Sequence, residues 1–370
     1  MRYYIIAGEA SGDLHGSNLI KAIKAKDPNA TIQCWGGDLM EAAGGKLVKH
    51  YRSLAFMGFV EVLLNLRTIL SNIKFCKQDI ANFKPDVLVC VDYPGFNLRI
   101  AKWAKTKELK VIYFIAPQVW AWKENRVPQM RQSIDRLLCI LPFEKQYFKD
   151  RWNWEVDYVG HPLMQVLADQ KNLAHPLPQI EGKKIIALLP GSRKQEILKK
   201  LPVMLSVVNA FPDNHFAIAQ APGLDDEWFS SLVPKNMNIH IVKANTYALL
   251  NHSKAALVTS GTATLETALL GVPEIVCYKG NPITLALAKR FVKIKFIALV
   301  NLIMNKEVVK ELIQEDLTTA NLIAALKDVL ENPAKQAQIK EDYAALQKAL
   351  YTGENAVEVS AGIILEELSN

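Results

Sequence analysis

Lys184-Ile185-Ile186-Ala187-Leu188-Leu189-Pro190-Gly191-Ser192-Arg193 is an unbroken apolar run that ends in a glycine turn. A run without alternation is the pattern of a strand buried on both faces of a parallel sheet. The residues that follow, 195–208, read as helix. A strand that enters a glycine turn and then a helix aims backbone N–H groups at one point. That makes an anion site, and the planar guanidinium of Arg193 suits a phosphate there. A second beginning of this kind opens the sequence at Tyr3-Tyr4-Ile5-Ile6-Ala7-Gly8-Glu9-Ala10-Ser11-Gly12-Asp13. Two such units predict an α/β protein with two Rossmann-like domains facing across a cleft.

The bulk properties fit that class. At 370 residues the chain exceeds one ordinary core. Half of it is hydrophobic and 22% is charged, the balance of a soluble α/β protein. No uncharged apolar run reaches the ~18 residues of a membrane span, and the run after Arg2 meets Glu9 too soon for a signal peptide. A cytoplasmic location is expected. The five cysteines are scattered, without a C-x-x-C pair, so neither a disulfide framework nor a zinc site is supported. The net charge of +7 fits an acidic substrate or an anionic membrane surface, and no basic-aromatic block points to nucleic acid.

Further apolar runs at 31–35, 87–91, 111–115 and 136–141 continue the first sheet. Those at 215–219, 238–242, 255–259 and 274–278 continue the second. The polar segment 169–182, with Pro176 and Pro178, is the expected linker. Domains are thus expected at 1–168 and at 183–332. Residues 333–370 read as helices that could return to the first domain, or to that of a partner chain in a homodimer.

Several motifs in order resemble the lipid-A-disaccharide synthases, glycosyltransferases of the two-Rossmann (GT-B) type. They are Gly8-Glu9-Ala10-Ser11-Gly12-Asp13, Met57-Gly58-Phe59-Val60-Glu61-Val62, Asp92-Tyr93-Pro94-Gly95-Phe96-Asn97 and Gln118-Val119-Trp120-Ala121-Trp122. Leu141-Pro142-Phe143-Glu144, Gly160-His161-Pro162, the turn at 189–193 and Ser260-Gly261-Thr262-Ala263-Thr264-Leu265-Glu266 complete the series. The resemblance spans residues 3 to about 316. It implies an inverting transfer from UDP-2,3-diacylglucosamine to 2,3-diacylglucosamine 1-phosphate, giving lipid A disaccharide 1-phosphate and UDP. It implies no cofactor, and a place on the inner face of the inner membrane of a Gram-negative cell. Two positions depart from the pattern: Gly95 stands where many members carry an acid, and Val300 where a proline is usual before Asn301.

Asp92 ends an apolar run, so it belongs at the carboxyl edge of a strand, where open α/β sheets bind ligands. A sugar hydroxyl attacks an anomeric carbon well only when a base takes its proton, and Asp92 is the candidate. A turn-capping aspartate is the competing reading. Gly191, Ser192 and Arg193 are expected to hold the departing diphosphate and to meet the charge that grows on it. The absence of an Asp-x-Asp pair agrees with a site that requires no metal.

Ser260, Gly261, Thr262 and Ala263 form a second glycine-bearing turn, and Glu266 suits the ribose hydroxyls; Asn301 matches a family polar residue near the donor sugar. Glycines 8, 12 and 16 do not make G-x-G-x-x-G, which argues against a dinucleotide enzyme. That loop is expected on the acceptor side instead, through Glu9, Ser11, Gly12 and Asp13, although Asp13 could equally be a helix cap. Over 59–73, Phe59, Val62, Leu63, Leu66, Leu70 and Ile73 share one face of a helix. It reads as a core helix or as a membrane-interface helix, and the lipid substrates implied by the family favour the membrane. The alternative function is another UDP-sugar enzyme of the same fold, with a different lipid acceptor or of the UDP-N-acetylglucosamine 2-epimerase kind.

Overall fold

The computed structural model describes residues 1–53, 66–171, 177, 180, 182–234, 239–280 and 295–369. The chain forms two compact units, 1–162 with 350–370, and 163–349.

The first unit holds seven strands: β1 (Arg2–Ala7), β2 (Thr31–Gly36), β3 (Lys46–His50), β4 (Val87–Val91), β5 (Lys110–Phe114), β6 (Arg136–Cys139) and β7 (Asp157–Tyr158). They pair in parallel in the order β3-β2-β1-β4-β5-β6-β7. The order reverses between β1 and β4, so the carboxyl ends of those two strands flank the crevice where such sheets take ligands. β1 and β4 are buried along both faces, which is why they are continuously apolar in sequence. The edge strands β3 and β7 are only partly buried and mixed in polarity. Neither is predicted by the apolar pattern.

One face of this sheet is covered by helices that include Leu66–Phe83 and Pro94–Lys105. On the other, the helix Ala10–Lys26 lies beside the helix Ala356–Ser369, with Leu19, Ile20 and Ile23 in one cluster with Val357, Ala361 and Ile364. Glu367 of that helix pairs with Lys110 at 3.8 Å and with Arg136 at 3.7 Å, at the starts of β5 and β6.

The second unit repeats the design with β8 (Ile185–Leu189), β9 (His215–Gln220), β10 (Ile239–Lys243), β11 (Ser253–Thr259), β12 (Glu274–Tyr278) and β13 (Lys310–Ile313). All are parallel, in the order β10-β9-β8-β11-β12-β13. The helix after β8 spans Lys194–Leu205 and is followed by a 3-10 turn, Val208–Ala210, so it stops short of the expected 208.

The boundaries differ from the expected ones for packing reasons. The helix Leu163–Lys171 packs against Thr262–Leu269 and belongs to the second unit, although residues up to 168 are assigned to the first by the sequence reading. Within the expected linker, Leu177 and Ile180 are buried in the second core. The helix Pro333–Leu350 lies almost wholly in that unit too, where the Tyr343 hydroxyl donates to the Val272 carbonyl at 3.2 Å.

Candidate active site

In the first unit, the chain leaves β4 through two consecutive left-handed residues, Asp92 (φ 45°) and Tyr93 (φ 50°). Side chains other than glycine are strained there, by roughly 1–3 kcal/mol each, unless neighbours hold them. The neighbours do. The Asp92 carbonyl accepts from Asn97 Nδ2 at 2.8 Å and from the Tyr113 hydroxyl at 2.6 Å, while its N–H donates to the Phe114 carbonyl at 3.0 Å. Asn97 is fully buried and also donates to the carbonyls of Val91 and Ile6, tying β4 to β1. The Tyr93 ring lies over Gly8, where a Cβ would meet it at 2.2 Å. Gly8 therefore serves a close approach and not a phosphate.

Held this way, the Asp92 carboxyl is pushed up to about 6 by burial and by the like charge of Glu9. Its neighbour Glu144 is almost fully buried, and burial lifts it to about 7 against the N–H groups it accepts. Glu144 Oε1 takes the Trp120 indole N–H at 3.0 Å, and Oε2 takes the Leu141 N–H at 3.0 Å as part of a capping box. Trp120 thus anchors its loop, whereas Trp122 is 55% exposed.

Asp13 is structural. Its carboxylate accepts from the N–H groups of Gly37, Leu39 and Met40 and caps the helix Asp38–Ala42. This removes it from the expected acceptor contacts. Gly12 is likewise accounted for by packing, with a Cβ there only 3.1 Å from that of Ala7. Glu9 is half-buried and Ser11 exposed.

In the second unit, Gly191 takes φ 112°, and a Cβ on it would meet Glu196 Oε2 at 2.8 Å. Arg193 is the helix N-cap and pairs with Glu196 at 3.1 Å while half its side chain stays exposed; Ser192 beside it is exposed. Lys200, four residues after Glu196 on the same helical face, is nearly fully buried, and burial pulls its amine down. It is a cation close to the turn that the motif reading passes over.

The other glycine turn holds Gly261 at φ 149° as N-cap of Thr262–Leu269, with Ser260 Oγ donating to the Ile297 carbonyl at 3.1 Å. Thr262 is exposed and Ala263 half-buried. Burial raises the carboxyl of Glu266, which accepts from the Tyr247 hydroxyl at 3.1 Å.

Asn301 does not face a ligand. It is fully buried, its Nδ2 donating to the Val309 carbonyl at 2.9 Å and to Glu311 at 2.8 Å, and its Oδ1 accepting from the N–H groups of Val308 and Val309. Its whole side-chain amide is spent on Val308, Val309 and Glu311, at the entry to β13, which corrects the expectation of a sugar contact.

Of the expected membrane face, Phe59, Val62 and Leu63 lie outside the described residues, and Leu66 is described only as the start of its helix. Leu70 is 54% exposed, on a side of that helix distinct from Ile73, Cys76 and Ile80, which are core. Ile73 is therefore not part of an outward face. Among the described residues no helix is long and apolar enough to cross a membrane.

The comparisons agree with this architecture. A UDP-GlcNAc 2-epimerase from Neisseria meningitidis superposes with a TM-score of 0.65 at 14% identity, covering 100% of this chain and 99% of that one. The glycotransferase of kitacinnamycin does so with a TM-score of 0.65 at 14% identity, over 99% of each chain. Together with the two parallel sheets, these neighbours show the two-Rossmann GT-B fold. Sequence relatives narrow the class. The lipid-A-disaccharide synthase of Syntrophus aciditrophicus is 36% identical over 355 residues, 94% of this chain and 92% of that protein. That of Geobacter sulfurreducens is 34% identical over 99% and 97%. The lipid-A-disaccharide synthetase family profile matches residues 3–362, and the chain belongs to that family of glycosyltransferases.

If Asp92 is the base, turnover should rise through pH ~6 and level off above it, because the proton must leave before the carboxylate can accept one. Glu9→Gln removes a like charge and should move that limb to lower pH, as a rate-against-pH series would show. An unmoved limb would separate Glu9 from Asp92.

Proposed function

We propose that the protein transfers a diacylglucosamine unit from its UDP carrier to the 6-hydroxyl of 2,3-diacylglucosamine 1-phosphate, with inversion. The observation that carries the reading is Asp92: a carboxyl with a raised pKa, fixed at a strand edge by Asn97 and Tyr113. It takes the proton of the attacking hydroxyl. Gly191, Ser192 and Arg193 hold the diphosphate, and Arg193 meets the charge that develops as the bond to UDP breaks. Ser260, Gly261, Thr262, Ala263 and Glu266 take the nucleoside side. The relatives at 34–36% identity favour this reading over an epimerase, whose likeness lies in the fold.

The test is to incubate the protein with both acylated sugars and look for disaccharide 1-phosphate and UDP. An enzyme that instead epimerised unacylated UDP-N-acetylglucosamine would overturn it. Arg193→Ala should raise the donor KM and lower kcat together, about 10- to 100-fold in kcat/KM, the worth of one charge-assisted pair. Chelators should leave the wild-type rate alone. A strict Mg²⁺ requirement would contradict the role given to Arg193.

Acting on lipid substrates, the enzyme works at an anionic membrane surface, on the cytoplasmic face of the inner membrane. Support comes from Leu70 and Phe75, which are 54% and 46% exposed on one helix, and from the net charge of +7. Leu70→Ser should weaken flotation with phosphatidylglycerol vesicles and leave Tm unchanged. A lowered Tm with unchanged flotation would return Leu70 to a packing role.

A further inference from the structure

Between the Trp120 anchor and the helix Val127–Ser133, the chain carries Trp122, Lys123 and Arg126 in two short helical turns. The Lys123 ammonium sits 3.8 Å from the centre of the Trp122 ring, and the Arg126 guanidinium is 6.0 Å from the same ring. The acid between them is committed elsewhere: Glu124 pairs with Arg151 at 2.8 Å and accepts from the Tyr147 hydroxyl. Among the described residues, Lys123, Arg126 and the nearby Arg99 enter no ion pair. Burial pulls both Lys123 and Arg126 down, with Arg126 adding repulsion at Lys123 and Arg99 adding it at Arg126. Cations gathered without an acid are a standing electrostatic cost that a bound anion relieves.

The location says which anion. Arg126 lies in the field of the Tyr113 hydroxyl, the group that donates to the Asp92 carbonyl at 2.6 Å. Tyr113 thus links the patch to Asp92, the residue assigned the proton of the attacking hydroxyl. An acceptor that carries its hydroxyl and its phosphate on one sugar ring needs a dianion seat about a ring's width from that base. Anchoring the phosphate there would fix the hydroxyl in reacting geometry. A half-buried guanidinium suits such anchoring better than contact with lipid headgroups, which fully exposed lysines would serve.

We propose that Lys123 and Arg126, assisted by Arg99, seat the phosphoryl group of the acceptor, with the exposed indole of Trp122 as the platform that orients Lys123. This deepens the functional reading above and rests on it for the identity of the acceptor.

The experiment compares 2,3-diacylglucosamine 1-phosphate with the same sugar lacking the phosphate, as acceptors for wild type and for Lys123→Ala/Arg126→Ala. The variant should lose about 10- to 100-fold per cation in kcat/KM for the phosphorylated acceptor. It should stay within about twofold of wild type for the unphosphorylated one and keep its donor KM. Arg126→Lys, which retains a charge, should recover part of the preference. An equal loss on both acceptors, or an unchanged preference, overturns the proposal. So does lost binding to phosphatidylglycerol vesicles with phosphate discrimination intact, which would assign the patch to the membrane surface. Calorimetric titration of wild type and of the double variant with each acceptor, without donor, separates this proposal from the reaction itself. A phosphate preference in binding without any disaccharide formed would uphold the seat and remove the synthase reading.

Discussion

With Asp92 as the proposed base, Asp92→Ala is expected to lower kcat by about 10²–10⁴, the usual worth of a general base, and to leave the donor KM nearly unchanged. Asp92→Asn should have the same kinetic effect and yet raise stability. The native carboxyl stands at about 6, above its ordinary value of 3.8, so the charged form is the one the fold disfavours. A group raised in this way contributes fully to stability below the unfolded value and loses that contribution as pH rises through the folded one. The amide carries no charge to bury. Asp92→Asn should therefore melt higher than wild type at pH 8 and differ little at pH 4, as paired thermal melts at the two pH values would show. A variant with normal turnover would take Asp92 out of the mechanism, and equal Tm differences at both pH values would take burial out of the account of its pKa.

Asn301→Ala should have the largest effect on stability. It orphans the N–H groups of Val308 and Val309, the Val309 carbonyl and one bond to Glu311 at a fully buried position. Each buried group left without a partner costs about 1–3 kcal/mol, and some relaxation reduces the sum. A loss of about 3–5 kcal/mol is expected, enough to unfold a marginal domain. Asn301→Asp should be as damaging, because it sets a second carboxylate against Glu311. Denaturant unfolding measures both. A donor KM raised at unchanged stability would restore Asn301 to the sugar site.

The strands and the positions of Asp92 and Asn301 differ in how far a local pattern reveals them. β1, β4, β8 and β11 are buried on both sides, and that environment admits only apolar residues, so they are legible as runs. β3, β7 and β13 lie at or near sheet edges, where Lys46, Asp157 and Lys310 are tolerated and the signal fades. Asp92 could be placed because a strand end followed by Tyr-Pro-Gly is a local pattern. The structural role of Asn301 could not, since its partners lie seven to ten residues on and are brought back only by folding. Glu144 and Lys200 escaped for a related reason. A carboxylate after Leu-Pro-Phe reads as a helix start, and a lysine in a helix reads as solvated until packing buries it. Helical periodicity was legible in the part of the segment that is described, 66–73, but the split between Leu70 outside and Ile73 inside depends on which sheet face the helix covers.

The pairing of helix Ala356–Ser369 with Ala10–Lys26 bears on how the molecule is made. The first Rossmann unit emerges from the ribosome early, yet one of its covering helices is synthesised only after the entire 163–349 unit. Until then the cluster around Leu19, Ile20 and Ile23 lacks Val357, Ala361 and Ile364. The nascent chain must carry an incompletely covered apolar face through the translation of nearly two hundred residues, most of them the compact second unit. Closing contacts across so long a separation is slow, and the interval is open to aggregation or chaperone capture. Completion of the half that carries Asp92 is therefore tied to synthesis of the helix Ala356–Ser369, and a message truncated after the second unit would leave that half unfinished.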